Sequence, residues 1–126
     1  MKKNISPHVN IYKFPITAIS SIVTRLSGLY LTGLFIGVGI NQFDNNKHLL
    51  NYYKKLNNTS KEVINYSIIL PSVYHTYGGL RHFIWDKYPS LLTNKLVARS
   101  SLGIFGITFV TSYIVNNNCK IYQQKY

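Results

Sequence analysis

The sequence predicts an all-α membrane protein. Its three transmembrane helices run up, down and up, and an irregular N-terminal arm lies on the inner side of the bilayer. Residues 19–40, 63–85 and 96–115 form apolar runs of 22, 23 and 20 residues. A helix needs about 20 mostly apolar residues to cross a bilayer. Each run holds one charged residue, Arg25, Arg81 and Arg99 respectively. Only 13% of the 126 residues are charged, against roughly 25% in an ordinary soluble domain. A soluble three-helix bundle would need a water-facing polar face on each run, and almost nothing in these runs would serve as one.

In chain order, the stretch up to Pro15 is mixed and carries Pro7 and Pro15, which favours an extended arm over residues 1–17. The helices are expected over about 18–43, 60–87 and 94–117, with ends uncertain by about 2–4 residues. Residues 44–62 hold Asn-Asn, Lys-Lys and Asn-Asn-Thr-Ser and read as a loop. Pro89 marks the short link between the second and third helices, and residues 118–126 read as a polar tail. The whole chain, 1–126, is one anchor domain. The Ser, Thr, Gly and Tyr inside the spans are the residue types that face other helices within membranes.

Composition excludes several function classes. One cysteine, Cys119, leaves no disulfide framework and no cysteine-ligated zinc or iron–sulfur site within the chain. Three carboxylates make paired-carboxylate chemistry improbable, and the common nucleotide, protease and hydrolase signatures are absent. The chain is therefore expected to be non-catalytic alone. A net charge of +11 and the Tyr-Tyr-Lys-Lys run at 52–55 raise nucleic-acid binding as a reading. The cations are scattered over both ends of the spans and no nucleic-acid fold signature is present, so no nucleic-acid partner is expected.

Depth makes the charged residues informative. Arg25 lies early in the first span, Arg81 late in the second and Arg99 early in the third. In an up-down-up chain all three reach the same side. Arg99 is close enough to an end to snorkel, whereas Arg25 lies deeper and fits an anionic or carbonyl partner. Eight Lys and Arg fall on the N-terminal side and six on the other, which places the N-terminus inside.

His75 is thirteenth of the 23 residues in the second span, near the midplane. An ionisable group there points to function, although a hydrogen-bonded packing histidine is the plain alternative. His82 follows by seven residues, nearly two turns, and Gly78 and Gly79 lie between them on the same face. A nitrogen ligand, a patch without side chains and a polar end suit a flat macrocycle, and imidazole is a common haem ligand. The first span carries Ser21, Arg25, Gly28 and Thr32 at spacings of 4, 3 and 4, again on one face. Ser21 and Arg25 can both donate to one carbonyl oxygen. Helix packing accounts for the small residues of that stripe but not for Arg25.

Two runs carry a resemblance. Ser6-Pro7-His8, Ile11-Tyr12-Lys13 and Phe14-Pro15-Ile16-Thr17-Ala18-Ile19-Ser20-Ser21-Ile22, with Arg25-Leu26-Ser27-Gly28, resemble the N-terminal signature of the large cytochrome b membrane-anchor family of succinate dehydrogenase, respiratory complex II. His75-Thr76-Tyr77-Gly78-Gly79-Leu80-Arg81-His82-Phe83-Ile84-Trp85-Asp86 resembles that family's second signature. The motifs cover about a third of the chain, and the spacing of the spans matches over its whole length. The loop at 44–62 and the tail are unmatched.

The resemblance implies a membrane anchor that helps hold haem b and ubiquinone and passes electrons from an iron–sulfur subunit to quinone. It implies three protein partners: that iron–sulfur subunit, a flavoprotein subunit and a second small membrane subunit. His75 would be one axial ligand of the haem iron, the other coming from the second anchor. Gly78 and Gly79 would give the ring clearance, and Arg81 and His82 would sit near its propionate end. Ser21 and Arg25 would line the quinone pocket, with Arg25 also near a propionate. The family usually has His where this chain has Thr24, so the propionate contact made by that His is missing.

A cofactor-free structural or assembly subunit of a respiratory membrane complex is the alternative. It would keep the spans and lose the reason for His75. An anchor of a quinol:fumarate reductase differs mainly in working direction. Asn, Lys, Tyr and Ile are abundant and Ala occurs only twice, a bias toward A- and T-rich codons. With the resemblance beginning near Met1, the expected setting is the mitochondrial inner membrane with an organelle gene. A bacterial inner membrane is the runner-up.

Overall fold

A computed structural model describes residues 15–43 and 48–125, with side chains described through Lys120. The expected N-terminal arm up to residue 14, with Ser6, Pro7 and His8, lies outside the described residues. Four α-helices account for nearly everything else: α1 (Ile16–Phe43), α2 (His48–Lys55), α3 (Asn58–Lys87) and α4 (Asn94–Lys125), with a 3-10 turn at Pro89–Leu91 before α4.

Local chemistry sets the helix ends. The Pro15 carbonyl accepts from the backbone N–H of Ala18 at 3.0 Å and of Ile19 at 3.3 Å, opening α1. Asn57, in extended conformation, caps α3 and accepts from the Asn58 N–H at 2.7 Å. Tyr88 closes α3 with a bond from its N–H to the Ile84 carbonyl at 2.9 Å, and Pro89 then turns the chain. Pro71 lies inside α3, which continues through it. Nearby Ser67 and Ser72 hydroxyls donate to the carbonyls of Ile64 and Ile68, both at 2.7 Å.

Two expectations are corrected. Residues 44–62 are not a plain loop, for they hold α2 and the first turn of α3. α2 ends on Lys54 and Lys55, which suit a helix C-terminus, and Tyr53 donates to Asn65 Oδ1 at 2.9 Å, tying α2 to α3. Likewise α4 does not stop near residue 117. Its polar tail continues the helix to Lys125, and at its last described side chain Lys120 bridges Glu62 of α3 at 2.8 Å. Polar composition suggests irregular structure in both places, but Lys and Gln are good helix formers, and propensity does not distinguish a tail from a helix in water.

α3 is the central helix, packed on both α1 and α4. The contacts fix the directions. Ser20 of α1 meets Arg81 of α3, while Ser27 further along α1 meets His75 further back on α3. Arg81 meets Ser101, Tyr77 meets Thr111 and Glu62 meets Lys120 of α4. Both pairings are antiparallel, so the three long helices run up, down and up.

The bundle is inside-out by the standards of a soluble protein. Among the described residues the buried ones are Ser20, Thr24, Ser27, Tyr74, Gly78, Arg81, Ser101, Thr108, Ser112 and Asn116. Only Tyr74 among them is a large hydrophobe. The apolar residues point outward: Leu29 is 70% exposed, Phe83 71% and Phe109 62%. Water would penalise that exterior heavily, whereas hydrocarbon accepts it. α1 over Ile16–Phe43 and α4 over Asn94–Lys120 are long and apolar enough to cross a membrane. Of the three spans expected from sequence, these two meet that measure. α3 spans about 45 Å at about 1.5 Å per residue, with Lys61, Glu62, His75, Arg81 and His82 along it.

Candidate functional site

The seam between α1 and α3 holds the histidine. His75 Nδ1 lies 3.0 Å from the Thr24 carbonyl oxygen and 3.3 Å from Ser27 Oγ. The Ser27 hydroxyl donates to that same carbonyl at 2.8 Å, so its one proton is already committed. Thr24 in turn donates to the Ser20 carbonyl at 2.9 Å. These partners assign the proton of the neutral imidazole to Nδ1, which donates to the carbonyl and to Ser27 Oγ. A bare Nδ1 would set its lone pair against a carbonyl oxygen. Nε2 then carries the free lone pair. It makes no hydrogen bond among the described residues, and the histidine is exposed.

Gly28 makes room for this arrangement. A Cβ there would stand 2.7 Å from His75 Cε1 and 3.2 Å from Nδ1, so the ring lies directly on the α1 backbone. Around α1, Ser21, Arg25, Gly28 and Thr32 flank the buried Ser20–Thr24–Ser27 line on one side, since successive residues lie about 100° apart. Around α3, His75, Gly79 and His82 lie on one side of the buried Tyr74–Gly78–Arg81 line by the same geometry. His75, Gly79, His82 and Arg25 are exposed and Ser21 is half-buried.

Two of the residues expected at the cofactor, Arg81 and Gly78, face the interior of the bundle. Arg81 is buried at 7% exposure. It donates from Nη1 to Ser101 Oγ of α4 at 2.8 Å and from Nη2 to Ser20 Oγ of α1 at 3.0 Å. Its guanidinium sits 4.6 Å from the centroid of the Trp85 ring. Arg81 is thus turned into the bundle, where it joins all three long helices, while the adjacent His82 faces out with its ring edge-on to Trp85 at 5.4 Å. Gly78 is buried under Thr24, whose Cγ2 lies 2.8 Å from where a Cβ would be, so its clearance serves α1. Gly79 has nothing within 4 Å of that position. Sequence spacing assigned both glycines to one face, but Gly78 lies nearer the helix–helix seam.

Sequence reasoning missed the interior polar residues. Ser20, Thr24 and Ser27 repeat at 4 and 3, and Ser101, Thr108, Ser112 and Asn116 at 7, 4 and 4. That periodicity was legible, but in a bilayer it marks the packed face, not the outer one. Tyr74 completes the network, donating to the Ser20 carbonyl at 3.2 Å and lying 3.0 Å from Ser20 Oγ. On α4 the side-chain polar atoms of Thr108, Ser112 and Asn116 are buried without partners among the described residues.

A bundle of long helices with a hydrogen-bonded centre and an apolar exterior defines an integral membrane protein. The family described as the succinate dehydrogenase/fumarate reductase transmembrane subunit matches residues 1–115, and the chain belongs to that family. It is 32% identical over 114 residues to the mitochondrial succinate dehydrogenase cytochrome b560 subunit of Dictyostelium discoideum, covering 86% of this chain and 58% of that one. It is 28% identical over 113 residues to the subunit of the same name from Sus scrofa, covering 86% and 66%. It is 36% identical over 95 residues to the succinate dehydrogenase cytochrome b556 subunit of Rickettsia bellii, covering 68% of each chain. The chain thus spans less than two thirds of the first two relatives' lengths.

The residues fit a b-type haem on this chain's side. No group of three or more metal-ligating side chains occurs among the described residues. One imidazole with its far nitrogen free, beside a glycine with open space, suits a metal that brings its own equatorial ligands.

Proposed function

We propose that the chain anchors a succinate dehydrogenase in the membrane, supplies one axial ligand to a b-type haem shared with a second membrane subunit, and helps bind ubiquinone. One observation carries the reading: His75 is held to α1 through Nδ1, while its Nε2 makes no hydrogen bond among the described residues and the histidine is exposed. An exposed imidazole near the middle of a long, apolar-surfaced helix calls for a partner, and a haem backed by another subunit supplies one.

Bound there, the haem would supply one-electron transfer. The chain's own residues orient and polarise. The Thr24 carbonyl and Ser27 hold the imidazole with Nε2 outward. Gly79 leaves space beside it, and His82 stands nearly two turns along the same face. Ser21 and Arg25, one turn apart toward the inner end of α1, would donate hydrogen bonds to a quinone oxygen. That stabilises the negative charge the oxygen acquires on reduction, most strongly in a low-dielectric site. Arg25 contributes more than Ser21, because a full charge outweighs a hydroxyl dipole there.

In this reading α3 is the third transmembrane span, its Arg81 and tyrosines turned inward and its Val63, Leu80 and Phe83 turned to lipid. The partners are the second small membrane subunit, the iron–sulfur subunit, through it the flavoprotein subunit, and membrane lipid. The proposed setting is the mitochondrial inner membrane, for which the word mitochondrial in two of the relatives' names is the support, with an organelle gene favoured by the A- and T-leaning composition. The Rickettsia relative keeps a bacterial inner membrane as the alternative.

The test is an absorbance spectrum of the purified complex. A low-spin b-type band that disappears in His75→Leu supports the reading. A complex that assembles without any such band favours the cofactor-free structural subunit, a role to which the buried Arg81 network is already suited.

A further inference from the structure

We infer that a single turn of α1 positions His75: the Thr24 carbonyl and the Ser27 hydroxyl fix its proton on Nδ1, and Gly28 fixes where its ring lies. The tautomer and ring placement stand on the hydrogen bonds alone; their consequence for a metal rests on the haem reading above. The ring has two Nδ1 acceptors, at 3.0 and 3.3 Å. Both are locked, because the Ser27 hydroxyl is spent on the same carbonyl at 2.8 Å and that carbonyl is part of a helix backbone. Beside these acceptors the Gly28 backbone is close enough that one added methyl would stand 2.7 Å from Cε1 and 3.2 Å from Nδ1. The imidazole is therefore held by hydrogen bonds at Nδ1 and by shape at Cε1, and both constraints come from one turn of the neighbouring helix.

A hydrogen bond from Nδ1–H to a carbonyl makes Nε2 more basic. A more basic axial ligand favours the ferric over the ferrous state and so lowers the reduction potential. Thr24, Ser27 and Gly28 are thus positioning residues, acting on the metal only through His75. The backbone carbonyl cannot be removed by substitution, but Gly28→Ala displaces the ring from it and Ser27→Ala removes the second acceptor.

The experiment is a redox titration and a low-temperature electron paramagnetic resonance spectrum of the haem in the assembled complex. Four variants are compared: Gly28→Ala, Ser27→Ala, His75→Leu and, as a control, Gly33→Ala, whose added Cβ has nothing within 4 Å. Gly28→Ala is expected to raise the potential and shift the low-spin g-values, since the ring must tilt and its Nδ1 bond lengthens. Ser27→Ala is expected to shift both in the same direction by less, and Gly33→Ala to leave both unchanged. An unshifted potential and spectrum in Gly28→Ala, with the haem band lost in His75→Leu, would overturn the positioning role and leave the haem reading standing. A haem band that persists unchanged in His75→Leu would overturn the haem reading and this inference with it. If Gly28→Ala fails to assemble, Ser27→Ala decides alone, because it adds no volume: an unshifted potential there overturns the proposal.

Discussion

Arg25 and Arg81 show how one residue type takes opposite roles within two helices. Arg81 spends its guanidinium on Ser20 and Ser101, whereas Arg25 is exposed toward whatever covers the seam. Arg25→Ala should therefore leave the bundle intact while quinone reduction falls roughly 100-fold, the scale of losing one preorganised donor to a developing oxyanion. Succinate oxidation with an artificial acceptor should be unchanged. Ser21→Ala should act in the same direction but less, since water can replace a hydroxyl. Turnover normalised to assembled complex measures both, and normal quinone reduction by assembled Arg25→Ala would refute the assignment. The two glycines separate in the same way. Gly78→Ala should lower the thermal stability of the complex by pushing Thr24 away. Gly79→Leu should leave membrane insertion intact and reduce haem content, read as the ratio of haem absorbance to protein. Sequence spacing placed His75, His82 and Gly79 on one face together. It put Gly78 there as well and did not show that Gly78 and Arg81 turn inward, because a rotation of about 100° between adjacent residues turns one inward and the next outward, and the angle of the seam is set by packing.

At the scale of the element, α4 carries an unusual line. Ser101 is engaged with Arg81, but about two to four turns further on Thr108, Ser112 and Asn116 are buried without side-chain partners among the described residues. An orphaned buried polar group costs about 1–3 kcal/mol. Thr108→Val and Ser112→Ala remove the orphans with little change of shape, so each should leave the melting temperature of the complex unchanged or raise it. A clear fall on thermal unfolding would show that the complex gives these hydroxyls partners. The line was visible in the sequence as Ser, Thr and Asn at helical spacing. What was not visible was that α4 would run on to Lys125 with Lys120 paired to Glu62, for an ion pair across helices depends on their register and not on either segment's composition.

For the whole molecule the antiparallel order places the N-terminal end of α1, the Arg81–Trp85 end of α3 and the start of α4 together, and Cys119 at the other end. Cys119 is exposed and is the chain's only cysteine. A membrane-impermeant maleimide should label it in sealed vesicles only from the side opposite the N-terminus, that is, from the outer face if the excess of basic residues at the N-terminal end lies inside. Labelling from the inner face alone would reverse the topology. The fold class was legible because an apolar run of about 20 residues matches the thickness of a bilayer's hydrocarbon core. α3, read from the sequence as a span like the other two, does not meet the measure that α1 and α4 meet, for it carries Lys61, Glu62, His75, Arg81 and His82 along its length.

That distribution also orders events in time. During synthesis α1 and α3 emerge before α4, and α3 bears the guanidinium that donates to Ser101 of α4. An arginine without partners near a bilayer centre costs about 2.5–3.5 kcal/mol on insertion scales, less toward an interface. Until residues 94 onward arrive, Arg81 has Ser20 and the Trp85 ring of its own helix but lacks Ser101, one of its two hydrogen-bond acceptors. α4 thus completes the contacts of the helix before it, and the network that joins the three long helices closes only once Ser101 has been made.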